Sequence, residues 1–165
     1  MCTGRLRDRV PCEFFAVARL AGHQLRFHKV SKKDGSSKGD AFQTGSAADE
    51  MWGVVFQIPA TEKRELDRYE GRGFGYNDAS VTVALENGDQ LVAQTYVADK
   101  NSIDSALAPY SWYKAFVEEG AAEHGLPASY VAAFIASVES VTDPDKARHQ
   151  QEMDRLAVWK RARIG

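Results

Sequence analysis

Residues 51–71 read MWGVVFQIPATEKRELDRYEG, and the change of hydrophobic period inside them sets the fold class. Met51–Ile58 is a near-continuous apolar run, the pattern of a strand buried on both faces. Gly53 within it marks a bulge or a close backbone approach, and Pro59 ends the strand. Thr61 then stands as the N-cap of a short helix, EKRELDRYE, which turns Leu66 and Tyr69 inward. Gly71 is placed to close that helix.

Upstream, residues 3–9 predict one or two turns of helix. Glu13–Leu20 (EFFAVARL) is rich in aromatic and branched residues and predicts a strand. His23–Val30 alternates apolar and polar, with Ala21-Gly22 as the hairpin turn between the two. Residues 31–46, rich in Gly, Ser and Lys, read as a mobile loop. Downstream, Asp78–Leu85 and Gln90–Ala98 flank an Asn87-Gly88 step, a strong hairpin signal. Helices follow over Pro109–His124, stopped by Gly125, and over Ala128–Val138. Pro144 opens a polar C-terminal helix through about residue 161, with Met153, Leu156, Val158 and Trp159 on one stripe. Strands followed by helices give an α+β class. The chain reads as a single domain over 1–165, with its core in about 1–142 and the last helix over about 144–162.

Composition narrows the function. The chain has 165 residues, 44% hydrophobic and 27% charged, which suits one domain with an ordinary core. A net charge of −2 gives no reason to expect nucleic acid. The one local basic excess, Lys29, Lys32, Lys33 and Lys38, reads as a solvated loop. No apolar run approaches the roughly 20 residues needed to span a bilayer, and no leader pattern stands at the start. Cys2 and Cys12 make neither a disulfide framework nor a C-x-x-C motif, and no histidine has metal-ligand spacing. The expectation is a reducing cytoplasm, without metal, membrane or nucleic acid.

Glu70 is the leading candidate for chemistry. It ends the short helix, where the negative end of the dipole and burial would both favour the protonated form, as suits a general base working near neutral pH. Its alternative is one more surface acid like Glu62 or Glu65. Tyr76, Tyr96 and Tyr113 could each point a phenol into a shared pocket, or serve as core aromatics with a wet hydroxyl. None of His23, His28, His124 and His149 has a nucleophile and orienting group beside it. The G-x-G-x-G of residues 71–75 follows a helix rather than a strand and is not a dinucleotide fingerprint.

Four ordered segments, MWGVVFQIPATEKRELDRYEG, GFGY, QTYVAD and SWYKAFVEEGAAEHGLP, resemble the γ-glutamylcyclotransferase-like family over about residues 1–142. The resemblance implies a mixed sheet or partly closed barrel of about five to six strands with flanking helices. Glu70 takes the place of the family's catalytic carboxylate, and Tyr76, Tyr96 and Tyr113 match pocket tyrosines. Met1 falls on the apolar position that follows the family's Tyr-Gly-Ser-Asn turn. That turn and the strand before it have no counterpart here, so the chain is expected to be less stable and less active than one carrying them. The implied substrate is a small γ-glutamyl amino acid or amine, cyclised to 5-oxoproline without a cofactor. A homodimer is left open. The rival readings are a family member that binds a small molecule without turnover, or an enzyme of a different γ-glutamyl leaving group.

Overall fold

The computed structural model describes residues 2–164. Met1, expected beside the substrate, lies outside the described residues. Six strands form two antiparallel sheets rather than a closed barrel. The larger has the order β4-β1-β5-β6, from β1 (Glu13–Ala21), β4 (Glu50–Gln57), β5 (Tyr76–Leu85) and β6 (Gln90–Ala98). The smaller pairs β2 (His23–Val30) with β3 (Ser37–Gln43). Five α-helices accompany them: α1 (Thr3–Arg7), α2 (Lys63–Glu70), α3 (Ser111–Glu123), α4 (Ala128–Val131) and α5 (Lys146–Ile164). A π-helical turn over Ala132–Ala136 extends α4. None of the described helices is long and apolar enough to cross a membrane.

Several expectations change. The Ala21-Gly22 bend is not a hairpin, because β1 gives its ladder to β4 while β2 gives its own to β3. The bend instead passes the chain between sheets, held by Gly22 N–H on Asp49 O at 2.8 Å and Thr44 N–H on Gly22 O at 2.8 Å. The 31–46 segment is not a loop throughout. Ser37–Gln43 forms β3, in a hairpin register from Val30↔Ser37 to His23↔Gln43. Its polar Ser37 and Asp40 are buried, and the Asp40 carboxylate is satisfied by His28 Nε2 at 2.8 Å and the Ala98 N–H at 2.7 Å. Finally, β4 is an edge strand with half-buried residues, not one covered on both faces. Gly53 has open space where a side chain would be, and the irregular register falls in β1, at Phe14/Ala16. Thr61 also gives no cap: α2 follows a tight turn over Ala60–Glu62 without a side-chain hydrogen bond at its N-terminus.

The helical layer covers one face of the larger sheet. Ala121, Leu126, Tyr130 and Ile135 pack on Val17, Trp52 and Val54. The opposite face gathers Ala18, Leu20 and Val83 with Val55, Val81 and Leu91. There the sheet is not continuous. β1 and β5 are paired only at Ala18↔Leu85 and Arg19↔Ala84, and then part. Apolar side chains of all four strands line a cleft of about 840 Å³ over this span, with Phe15 on one side and Val81 on the other.

The helices are joined in their own core. Tyr110, Trp112 and Phe116 of the α3 region meet Leu156 of α5, with Met153 and Trp159 beside them. The expected stripe on α5 is therefore real at Met153, Leu156 and Trp159, whereas Val158 is exposed. α1 lies on α5 so closely that a methyl group at Gly4 would overlap the Trp159 ring. One buried carboxylate fastens this layer. Asp143, with no side-chain exposure, accepts from Trp112 Nε1 at 2.8 Å and from Arg148 Nε and Nη2 at 2.6 Å each.

The Arg148 hydrogen bonds hold the Asp143 carboxyl well below the usual carboxylate range. A carboxylate whose folded pKa is depressed stabilises the fold above its unfolded value of about 3.9, and that contribution fades as pH falls toward the folded value. Asp143→Ala should cost about 2–4 kcal/mol at pH 7, since it strands the indole N–H and the guanidinium. Urea denaturation of both proteins from pH 7 down to pH 3 should show the difference shrinking below about pH 4.

Candidate active site

Glu70 is the last residue of α2, and the local sequence explains why it stops there. Gly71 takes φ 70°, a left-handed conformation that a residue with a side chain adopts at a cost. Its N–H returns to Arg68 O, and the Arg72 N–H to Asp67 O at 2.9 Å, closing the helix as its sequence predicts. The chain then loops through residues 72–75 into β5. Glu70 is thereby set on the wall of a cleft of about 610 Å³, which also takes residues from α1, the β2–β3 hairpin, β5 and α3.

Tyr76 and Tyr113 meet in that cleft, on the backbone of a single residue, Gly39. The Tyr113 hydroxyl accepts the Gly39 N–H at 2.9 Å, and the Tyr76 hydroxyl donates to Gly39 O. The two phenols are thus left with opposite polarity. Tyr113 has spent a lone pair and keeps its O–H proton to donate. Tyr76 has spent its proton and keeps lone pairs to accept. Burial raises the pKa of both, that of Tyr76 strongly, so both are neutral phenols at physiological pH.

Tyr96 goes elsewhere. Its hydroxyl donates to Asp67 Oδ1 at 2.6 Å, and the residue lines the apolar cleft. Burial and this carboxylate raise its pKa, and Glu70 is felt more weakly. Of the four described candidates, the structure brings together Glu70, Tyr76 and Tyr113.

The cleft also holds cations that the sequence did not point to. Arg9 of the turn after α1 forms an ion pair with Glu70. Arg5 lies with its guanidinium 4.8 Å from the centre of the Phe116 ring. Lys29 and Lys38, read as part of a solvated loop, are half-buried strand residues. The Lys38 ammonium binds Asp34 at 2.8 Å and stands 4.8 Å from the rings of both Trp112 and Tyr113. Lys29 stands 4.5 Å from the Tyr76 ring. An expected β3 strand would have revealed both, because Lys29 and Lys38 face each other across the hairpin. Among the described residues no group of His, Cys, Asp or Glu has an arrangement that could hold a metal ion.

A carboxylate and two fixed phenols in a concave site on an α+β scaffold are features of the class of small-molecule enzymes. Comparison with known proteins gives the family. Residues 50–134 match the AIG2-like family. The γ-glutamylcyclotransferase of Homo sapiens is 33% identical over 141 residues, spanning 79% of this chain and 70% of that protein. That of Bos taurus is 31% identical over 134 residues, with the same coverage. A solved structure of a γ-glutamyl cyclotransferase superposes with a TM-score of 0.80 at 28% identity, over 93% of this chain and 92% of the other. The chain belongs to the AIG2-like, γ-glutamylcyclotransferase-like family of enzymes.

The Gly39 peptide offers a direct check of the site's construction. Tyr113→Phe removes the acceptor of the Gly39 N–H, at a cost of about 1 kcal/mol. Hydrogen exchange at that amide should accelerate in Tyr113→Phe and stay unchanged in Tyr96→Phe.

Proposed function

We propose that the chain releases 5-oxoproline from γ-glutamyl compounds, with Glu70 as the acid/base residue. The observation that carries this reading is the juxtaposition of Glu70 with two phenols of fixed and opposite polarity. The α-amine of the substrate attacks its own γ-carbonyl carbon. A C–N bond closes the five-membered lactam, and the amide bond to the leaving group breaks. Glu70 takes a proton from the α-ammonium and delivers it to the departing nitrogen, and the second proton shed by the attacking nitrogen as the lactam forms follows the same route, so that the leaving group departs as an ammonium. Atoms balance without water, metal or organic cofactor.

The other residues supply position and charge. Tyr76, an acceptor, suits the α-ammonium. Tyr113, a donor, suits the carbonyl oxygen as negative charge develops on it. Holding amine and carbonyl at contact distance is worth up to about 7–11 kcal/mol of barrier. The Arg9–Glu70 pair, like the missing Tyr-Gly-Ser-Asn turn, favours the rival reading, a member that binds without turnover. In the proposed cycle the substrate's α-carboxylate takes over Arg9 and frees Glu70.

Glu70→Gln should lower 5-oxoproline release by at least about 100-fold and leave the thermal melt unchanged. Retained release would remove Glu70 from the mechanism. The parted edges of β1 and β5 support a second proposal. An N-terminal extension carrying a strand and a Tyr-Gly-Ser-Asn turn should settle between them, since each offers unpaired backbone groups along an apolar cleft. Such an extended protein should melt at a higher temperature and turn over faster; no change in either would sink the idea.

A further inference from the structure

The Glu70 cleft holds more positive charge than its own carboxylates can match. Arg9 is committed to Glu70, Lys38 to Asp34 and Arg148 to Asp143. Of the cleft's acids only Glu152 is left, and Arg155 binds it at 3.2 Å. Arg5, Lys29, Lys32 and Lys33 also line the cleft, and none of them has an ion-pair partner among the described residues.

Two of these cations are sunk in the wall. Burial pushes the pKa of both Arg5 and Lys29 down, outweighing the pull of the carboxylates near them, the direction expected when a charge loses water without an ion-pair partner. Lys29 stands directly across the hairpin from Lys38, and like charges in that position destabilise a sheet. Lys38 has Asp34 at 2.8 Å, whereas Lys29 lies on the face of Tyr76 and feels Glu70 and Asp34 only at longer range. Lys32 and Lys33 are exposed at the rim, on the turn that follows β2. The series runs from solvent to Glu70, so it draws a negative ligand inward.

A substrate of the proposed kind accounts for part of this excess. Its α-carboxylate falls to Arg9 and Arg5, which lie together at α1. A leaving group that is a simple amino acid brings one further carboxylate, and unmatched cations remain toward the rim. We infer that the cleft selects a γ-glutamyl substrate whose leaving group is itself acidic, with Lys29 as the residue that reads the additional carboxylate. Lys32 and Lys33 steer it in. This inference rests on the γ-glutamyl reading of the site.

The experiment compares γ-glutamylglutamate with γ-glutamylglutamine, which differ only in a carboxylate against an amide. Kd by calorimetry and kcat/KM are measured for the native chain, for Lys29→Met and for the double variant Lys32→Glu, Lys33→Glu. The native chain should bind the acidic compound at least about tenfold tighter at low salt, and the ratio should fall as salt rises. Lys29→Met should bring the ratio to about two or below. The double variant lies on the exposed rim, tests the same charge without touching the wall, and should also lower the ratio. Equal affinities in the native chain, no binding of either compound, or a ratio unmoved by both variants would overturn the inference. The two proposals fail separately. Preferential binding without turnover sinks the reaction and leaves the acidic leaving group standing. Equal turnover of both compounds does the reverse.

Discussion

The backbone of Gly39 is where the two sheets and the helical layer meet. Its N–H is held by a phenol from α3 and its carbonyl by a phenol from β5. Each bond by itself contributes only about 1 kcal/mol. Together they fix the smaller sheet against both other layers, and they do it inside the site. A residue with a side chain would crowd the position, since a Cβ at Gly39 would stand 3.3 Å from the Tyr113 hydroxyl and 3.4 Å from Leu25 Cδ1. The same contact thus assembles the fold and sets which phenol gives a hydrogen bond and which receives one.

Legibility in the sequence followed the strength of local signals. Residues 76–98 were readable because Asn87-Gly88 joins two alternating runs, and their register runs unbroken from Tyr76↔Ala98 to Ala84↔Gln90. α2 and its end were readable because Gly71 has a specific stereochemical task. β3 was not, because its sequence, SKGDAFQ, has no apolar alternation. It is a strand because β2 offers a partner and because Asp40 finds two donors far away in the chain. Pairing of this kind is a tertiary event that no window of sequence contains. The β1–β2 bend misled for the same reason, as turn residues show that a chain reverses without showing which strand it will pair with.

The site divides in the same way. Glu70, Tyr76 and Tyr113 could be nominated from their motifs. The cations around them could not, because Arg5 and Arg9 are separated from Glu70 by some sixty residues and reach it only through the packing of α1. Tyr96 makes a different contact. It stands in a matching motif, and its hydroxyl donates to Asp67, about one turn before Glu70 on the same helix. α2 therefore contributes to two clefts, Leu66 to the apolar one and Glu70 to the charged one, from a single motif.

Gly4 carries a consequence for how such a chain can change over time. It allows α1 to lie on the Trp159 ring, and α1 brings Arg5 and Arg9 to the cleft. Bulk gained at position 4 must therefore be given up at position 159, far along the chain on a helix that supplies no acid or base to the reaction. Across relatives the two positions should drift as a pair, glycine with tryptophan and larger residues with smaller ones. The ancestry of the charged cleft would then be written partly in the last helix of the protein.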